Sequence, residues 1–152
     1  MNALETINEL MTGGVTRAKI FDLQSIVERL PNQLEQEDHT THHWAPGVYI
    51  REMNLLAGTV VVGKIHNHAH LSIITKGKVR VSSEFETATY DGPKIWLSPA
   101  GIKRAIFAIE DTQWFTVHHN ENDTHDLDEI ERFVIAPDFD TFDENKKLEV
   151  IP

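Results

Sequence analysis

No cysteine occurs among the 152 residues, which excludes disulfides, thiolate catalysis and thiolate metal ligands and fits a reducing compartment. Any metal would have to be held by nitrogen and oxygen. Long apolar runs are missing as well. The opening stretch carries Glu5 and Glu9 without an apolar core, so neither a signal peptide nor a membrane span is expected there. Basic clusters are also absent, and with a net charge of -10 the chain repels phosphate backbones, so nucleic acid is not an expected partner. These absences point to a cytoplasmic protein with no membrane association. There is no internal repeat and no low-complexity tract.

A chain of this length can bury roughly 70% of the surface its unfolded form exposes, enough for one core. The apolar and charged shares, 40% and 25%, are those of a globular chain rather than a disordered one. Histidine is the unusual presence. Nine of them fall in three groups, at 39–43, 66–70 and 118–125, and such clustering is the first sign of a site.

In the N-terminal part, Ile20, Leu23, Ile26, Val27 and Leu30 follow helical spacing, with Asp22 as a candidate cap and Pro31 as a stop. The expected helix covers a face or edge of the main body, or joins a dimer contact; residues 31–41 read as a polar linker. From Gly47 onward short runs rich in Val, Ile, Thr and aromatics read as strands at 48–54, 59–66, 70–75, 78–83, 94–97, 103–109 and 113–118. Glycine and proline punctuate them, and Glu110-Asp111 fits a hairpin turn. With no helix long enough for parallel crossovers, the spacing predicts an antiparallel sandwich or barrel. Residues 123–133 read as a second helix, capped by Thr124 or Asp126 and presenting Leu127, Ile130 and Phe133 on one face. The acidic tail from Pro137 is expected to fray. The division is therefore residues 1–45 as helical extension and linker, 46–120 as an all-β antiparallel barrel, and 121–152 as C-terminal helix and tail.

The segment from Gly58 to Gly77 holds the central constellation. His66 and His70 stand four apart, as in helical zinc-protease motifs, but Asn67 occupies the place of the catalytic glutamate and the β-branched flanks favour strand, turn, strand. On strands, alternation places Lys64 and His66 on one face, and His70 can join them across the turn.

These residues resemble the cupin superfamily. Its first motif is matched in frame by Gly58, by Lys64 at the first histidine position, by His66 at the second, by His70 in place of the glutamate, and by Gly77. Its second motif is matched by Pro99, Gly101 and Arg104, the last at the histidine position, with Gly92 one residue off the usual opening glycine. The resemblance implies a jelly-roll barrel with a short helix at each end. The segments His42-His43-Trp44-Ala45-Pro46-Gly47-Val48-Tyr49, Gly63-Lys64-Ile65-His66 with His70, and Trp114-Phe115-Thr116-Val117-His118 also resemble small uncharacterised cupins of bacteriophage and bacterial genomes. That likeness implies a phage or prophage origin, hence a host cytoplasm, and brings no substrate with it.

A metal-binding cupin supplies three histidines and a glutamate to iron, manganese, zinc or nickel. Of these positions only His66 and His70 keep ligand side chains here, with His118 as the candidate third ligand of one divalent transition metal (Zn, Fe, Mn or Ni). Lys64 and Arg104 at the inherited positions oppose it, since a unit charge about 4 Å from another at intermediate dielectric contributes on the order of 4 kcal/mol of repulsion. Taken as they stand, Lys64, His66, His70 and Arg104, with His118, describe an anion pocket in which Arg104 grips a carboxylate or phosphate and a neutral histidine serves as acid or base.

Three functions follow as expectations. The first is a small-molecule-binding protein for an anionic or metabolite-like ligand. The second is a metal-dependent enzyme, an oxygenase or a sugar or sugar-phosphate isomerase, using His66, His70 and His118. The third is a phage accessory structural or interaction protein. No catalytic acid–base pair is assignable from spacing. His42 and His43 read as surface or dimer residues, His68 and His125 as solvated, Trp96 and Trp114 as core. A homodimer is expected by analogy, with segment 42–49 contributing.

Overall fold

The computed structural model describes residues 15–31 and 33–149; the reading of the first eleven residues lies outside that range. The chain begins with α1 (Arg17–Glu28) and a short 3-10 turn, Gln36–His39. The strands are β1 (Thr40–Ala45), β2 (Val48–Leu55), β3 (Val60–Val62), β4 (Ile65–His66), β5 (His70–Lys76), β6 (Lys78–Ser82), β7 (Thr87–Asp91), β8 (Lys94–Ser98), β9 (Ala105–Ala108) and β10 (Thr112–His119). After them come α2 (Leu127–Val134), β11 (Ile135–Ala136) and α3 (Phe139–Glu149).

The strands pair antiparallel into a five-stranded sheet, β1-β2-β10-β5-β8, and a four-stranded sheet, β3-β9-β6-β7, with β11 on β4 as a separate ribbon. This is the antiparallel all-β class that the strand spacing predicts, in the jelly-roll form with short terminal helices that the resemblance implies. It differs in one respect: the sheets face each other and do not close into a barrel. Met53, Leu55, Ile74 and Trp114 from one sheet meet Val79, Val81, Tyr90, Ile106 and Ala108 from the other, forming the main apolar core. The turn at Glu110 and Asp111 is not a hairpin, because β9 and β10 belong to different sheets and the chain crosses the core there. Gly77 makes another such crossing. Its φ is +103°, and a Cβ would run into Thr112 and the Asp111 backbone, so the passage from β5 to β6 requires glycine.

Helix α1 buries Leu23, with Val27 and Leu30, against Val60, Val62, Ala105 and Phe107. It thus covers the outer face of the four-stranded sheet, which explains why residues 105–109 are apolar on both alternating faces. Its cap is Thr16, whose hydroxyl accepts from the Lys19 N–H, rather than Asp22, and it ends before Pro31.

Four elements depart from the sequence expectations. Strand β1 forms inside and beyond the stretch read as linker, held by register with β2. Strand β7 pairs with β6 across a stretch that carried no strand signal. The strand expected over 59–66 breaks at Gly63 and Lys64, where the Lys103 ammonium donates to the Gly63 carbonyl at 2.7 Å. The tail expected to fray is α3. Phe142 is buried with Ile65 and Ala136, its ring seated on Gly101, where a Cβ would come within 2.7 Å of it. Arg17 also binds the helix, through Asp143 at 2.9 Å and over the Phe139 ring at 3.9 Å. In α2, Asp126 is the cap, and the buried residues are Ile130 and Val134 while Phe133 stays exposed. Among the described residues no helix is long and apolar enough to cross a membrane.

Candidate functional site

One end of the space between the sheets is polar. Inward positions of β5 supply His70 and Ser72, those of β10 supply Thr116 and His118, β8 ends on Ser98, and the residue before β9 is Arg104. Parity settles what the sequence left open. Trp114, Thr116 and His118 point inward together, and Arg104 shares the inward face with Ile106 and Ala108, while Lys103 turns outward to the Phe21 ring of α1.

Arg104 is the centre of this cluster. Only 4% of it is exposed. Its Nη1 donates to Ser98 Oγ at 2.8 Å, and its Nη2 donates to His70 Nε2 at 3.2 Å and to Ser72 Oγ at 3.3 Å. The guanidinium lies 4.9 Å from the Trp114 ring centre. No carboxylate of the described residues comes within ion-pair distance of it. Burial pulls its pKa down to about 10, which still leaves it a cation at neutral pH.

The histidines pack beside it. Ring centres of His66 and His70 are 4.4 Å apart, those of His70 and His118 4.9 Å, and those of His66 and His118 5.8 Å. Because His70 Nε2 accepts from Arg104, its proton sits on Nδ1, which donates to the His68 carbonyl at 3.1 Å. His66 donates from Nδ1 to the Ile102 carbonyl at 3.3 Å, leaving the Nε2 lone pair for the cavity. His118 Nε2 bonds Thr116 Oγ1 at 3.0 Å. All three are held neutral. Burial is the leading cause for each, reinforced by the Arg104 cation and neighbouring imidazoles: His66 is pushed well below its ordinary value, His70 to about 4 and His118 to about 3.

Of these residues His66, Arg104, Thr116 and His118 line a cavity of about 220 Å³, and His70, Ser72 and Ser98 stand behind Arg104 without lining it. Its walls include Met53, Val61, Ile106 and Trp114, and the Ile130 and Val134 side chains of α2 close one side. Lys64 reaches only the rim. Its ammonium is paired with Glu131 of α2 and is largely exposed, because the break in the chain at Gly63 and Lys64 defeats the strand parity that would have set it beside His66.

Four lining residues were not expected from the sequence. Tyr49 is buried, its hydroxyl 2.7 Å from His42 Nδ1, and His42 Nε2 meets the exposed Glu37 carboxylate at 3.1 Å. Arg51, directly across from His42 and Thr116 in the sheet, has no ion-pair partner among the described residues. His42 is thus a wall residue rather than a surface one, and Trp44 is used within the chain, stacked on His125 at 4.4 Å and packed on Tyr49 at 4.8 Å. Alternation within β1 and β2 was the available signal, but the expected strand began only at 48, so the partner strand was out of reach.

The three imidazoles do not fit a metal in the inherited arrangement. The inward lone pair of His70 already accepts from a guanidinium, and that cation stands where a divalent ion would need to approach. Among the described residues no group of three or more His, Cys, Asp or Glu side chains has metal-holding geometry.

No protein-family model matches the chain, and no curated protein matches it. Solved structures similar to it include KdgF from Halomonas sp., at 15% identity over 55% of this chain and 82% of that one, with a TM-score of 0.45. A cupin superfamily protein from Desulfitobacterium hafniense DCB-2 is 16% identical over 64% of this chain and 86% of its own, with a TM-score of 0.47. Ectoine synthase from P. lautus is 12% identical over 57% and 76%, also with a TM-score of 0.47. At such identities and scores the likeness assigns neither substrate nor chemistry.

Proposed function

We propose that this chain is a cupin-type small-molecule-binding protein whose cavity receives a small anion on Arg104. The observation that carries the reading is the guanidinium itself, almost fully buried, hydrogen-bonded to neutral groups, and with no carboxylate of the described residues at ion-pair distance, Glu86 acting on it only from farther away. A buried cation costs several kcal/mol unless it is compensated. Two serine hydroxyls, an imidazole lone pair and an indole face offset part of that cost, and an incoming anion would offset the rest. The engagement of His70 Nε2 by Arg104 and of His118 Nε2 by Thr116 favours this over a metal-dependent reaction, since each ring nitrogen that bonds a protein group is one fewer for an ion.

Thermal unfolding of the full chain with phosphate, sulfate and short carboxylates tests it. An anion present at about 100 times its dissociation constant should stabilise by about 2.7 kcal/mol. Arg104→Met should fold with equal or greater stability, as buried charges replaced by apolar groups often do, and should show no anion-dependent shift. An equal shift in both proteins would remove Arg104 from the site. Stoichiometric metal in protein purified without a histidine tag, lost in His66→Ala, would replace the reading with the metal-dependent one.

A further inference from the structure

We infer that the anion is the carboxylate of a small amphipathic molecule, bound head-first on Arg104 with its apolar body toward α2. The inference rests on the anion reading above and adds the class of ligand.

Charge is the first argument. The lining carries three cations, Arg51, Lys64 and Arg104, against two carboxylates, Glu37 and Glu131. Lys64 and Glu131 compensate each other at the rim, and burial holds His66 and His118 neutral. One unit of positive charge is left in excess, which a monoanion balances and a dianion overshoots.

Hydrogen-bonding capacity is the second. A guanidinium has five N–H groups, and three bonds to Ser98, Ser72 and His70 are already made. The two that remain, one on Nε and one on Nη1, are donors for the oxygens of a bound anion. A phosphate brings further oxygens, and part of the lining they would meet, Met53, Val61 and Ile106, is apolar, where unpaired polar atoms are costly.

The lining and the size are the third. On the side of the helix the wall is apolar, formed by Leu127, Ile130 and Val134, with Glu131 at the rim. A volume of about 220 Å³ equals roughly seven waters at ~30 Å³ each, room for a carboxylate and a body of a few carbons. The His66 Nε2 lone pair and the Tyr49 oxygen, whose proton is directed to His42, leave acceptors on the wall for a hydroxyl on that body.

Isothermal titration of the full chain with acetate, butanoate and hexanoate, with hexanamide and inorganic phosphate as controls, tests the inference. Affinity should rise along the acids by about fourfold per buried methylene. Hexanamide should bind about tenfold more weakly than hexanoate, the loss of one charge-assisted contact, and phosphate should not compete with hexanoate. Equal binding of acid and amide, no gain along the series, or tighter binding of phosphate than of hexanoate overturns it. The acid–amide comparison uses the unaltered protein and so stands even if Arg104→Met fails to fold. Phosphate binding that Arg104→Met abolishes, without carboxylate binding, retains the anion reading and removes this class. Binding of no anion at all removes both.

Discussion

The two ends of the space between the sheets are built by the same strands and differ completely in chemistry. Along β5, inward positions run from His70 and Ser72 to Ile74; along β10 from His118 and Thr116 to Trp114; along β8 from Ser98 to Trp96. One step of two residues turns a polar pocket into an apolar core. Ile74 and Trp114 are fully buried at one end, while Ser72 and Ser98, also fully buried, share a hydrogen bond of 2.8 Å beneath Arg104 at the other. The apolar end gains free energy from burial, and the polar end gives some of it up to keep a cation and three neutral imidazoles out of water. Folding stability and ligand chemistry are thus separated along a single set of strands.

That separation can be attacked from either side. The largest effect is expected at the apolar end, where Ile74→Ala should lower stability by roughly 2–5 kcal/mol in urea while anion binding persists. Loss of binding in a variant that still folds would show that the two ends are not independent.

Acid should strike the polar end next. His70 has a folded-state pKa of about 4, below the unfolded value of about 6.5. The unfolded chain therefore binds more protons between these limits. The contribution is complete above about pH 6.5 and is lost as the pH falls toward about 4, on the order of 3 kcal/mol for this residue alone. His66 and His118, lowered for the same reason of burial, add in the same direction. Urea titrations at neutral and mildly acidic pH should show the decline, and His70→Gln should flatten part of it. An unchanged slope in that variant would mean that surface carboxylates, not the imidazoles, set the acid limit.

The smallest effect is expected at the rim. Lys64 and Glu131 form an exposed pair, so Lys64→Ala should change stability by less than about 1 kcal/mol and leave the affinity for hexanoate nearly intact. A large loss of affinity would move Lys64 from the rim into the binding set.

Much of this was legible in the alternation of apolar residues. It marks most of the strands, and it singles out His66 and His70 as a pair facing a shared space. The elements it missed have specific causes. Strand β1 has histidines, threonines and a tryptophan instead of an aliphatic alternation, and it forms because β2 offers an open edge. Helix α3 looks like a solvated acidic tail until Phe142 finds the surface over Gly101 and Arg17 reaches Asp143. Lys64 lines the pocket only at its rim and not beside His66, because strand parity holds only while the strand is continuous, and a side chain far along the sequence, Lys103, engages the backbone where it breaks.

The sequence by itself determined the class of fold, the absence of thiol chemistry, and the pairing of histidines with cations at Lys64 and Arg104. Those are local properties, set by side-chain type and period-two spacing. Only the tertiary structure decided that Arg104 lies inside with no ion-pair partner among the described residues and that the Glu37–His42–Tyr49 chain joins the wall. It alone placed Lys64 at the rim and closed the pocket with α2. Each of these depends on which face of a strand another element covers, a relation between segments distant in sequence that no local pattern encodes.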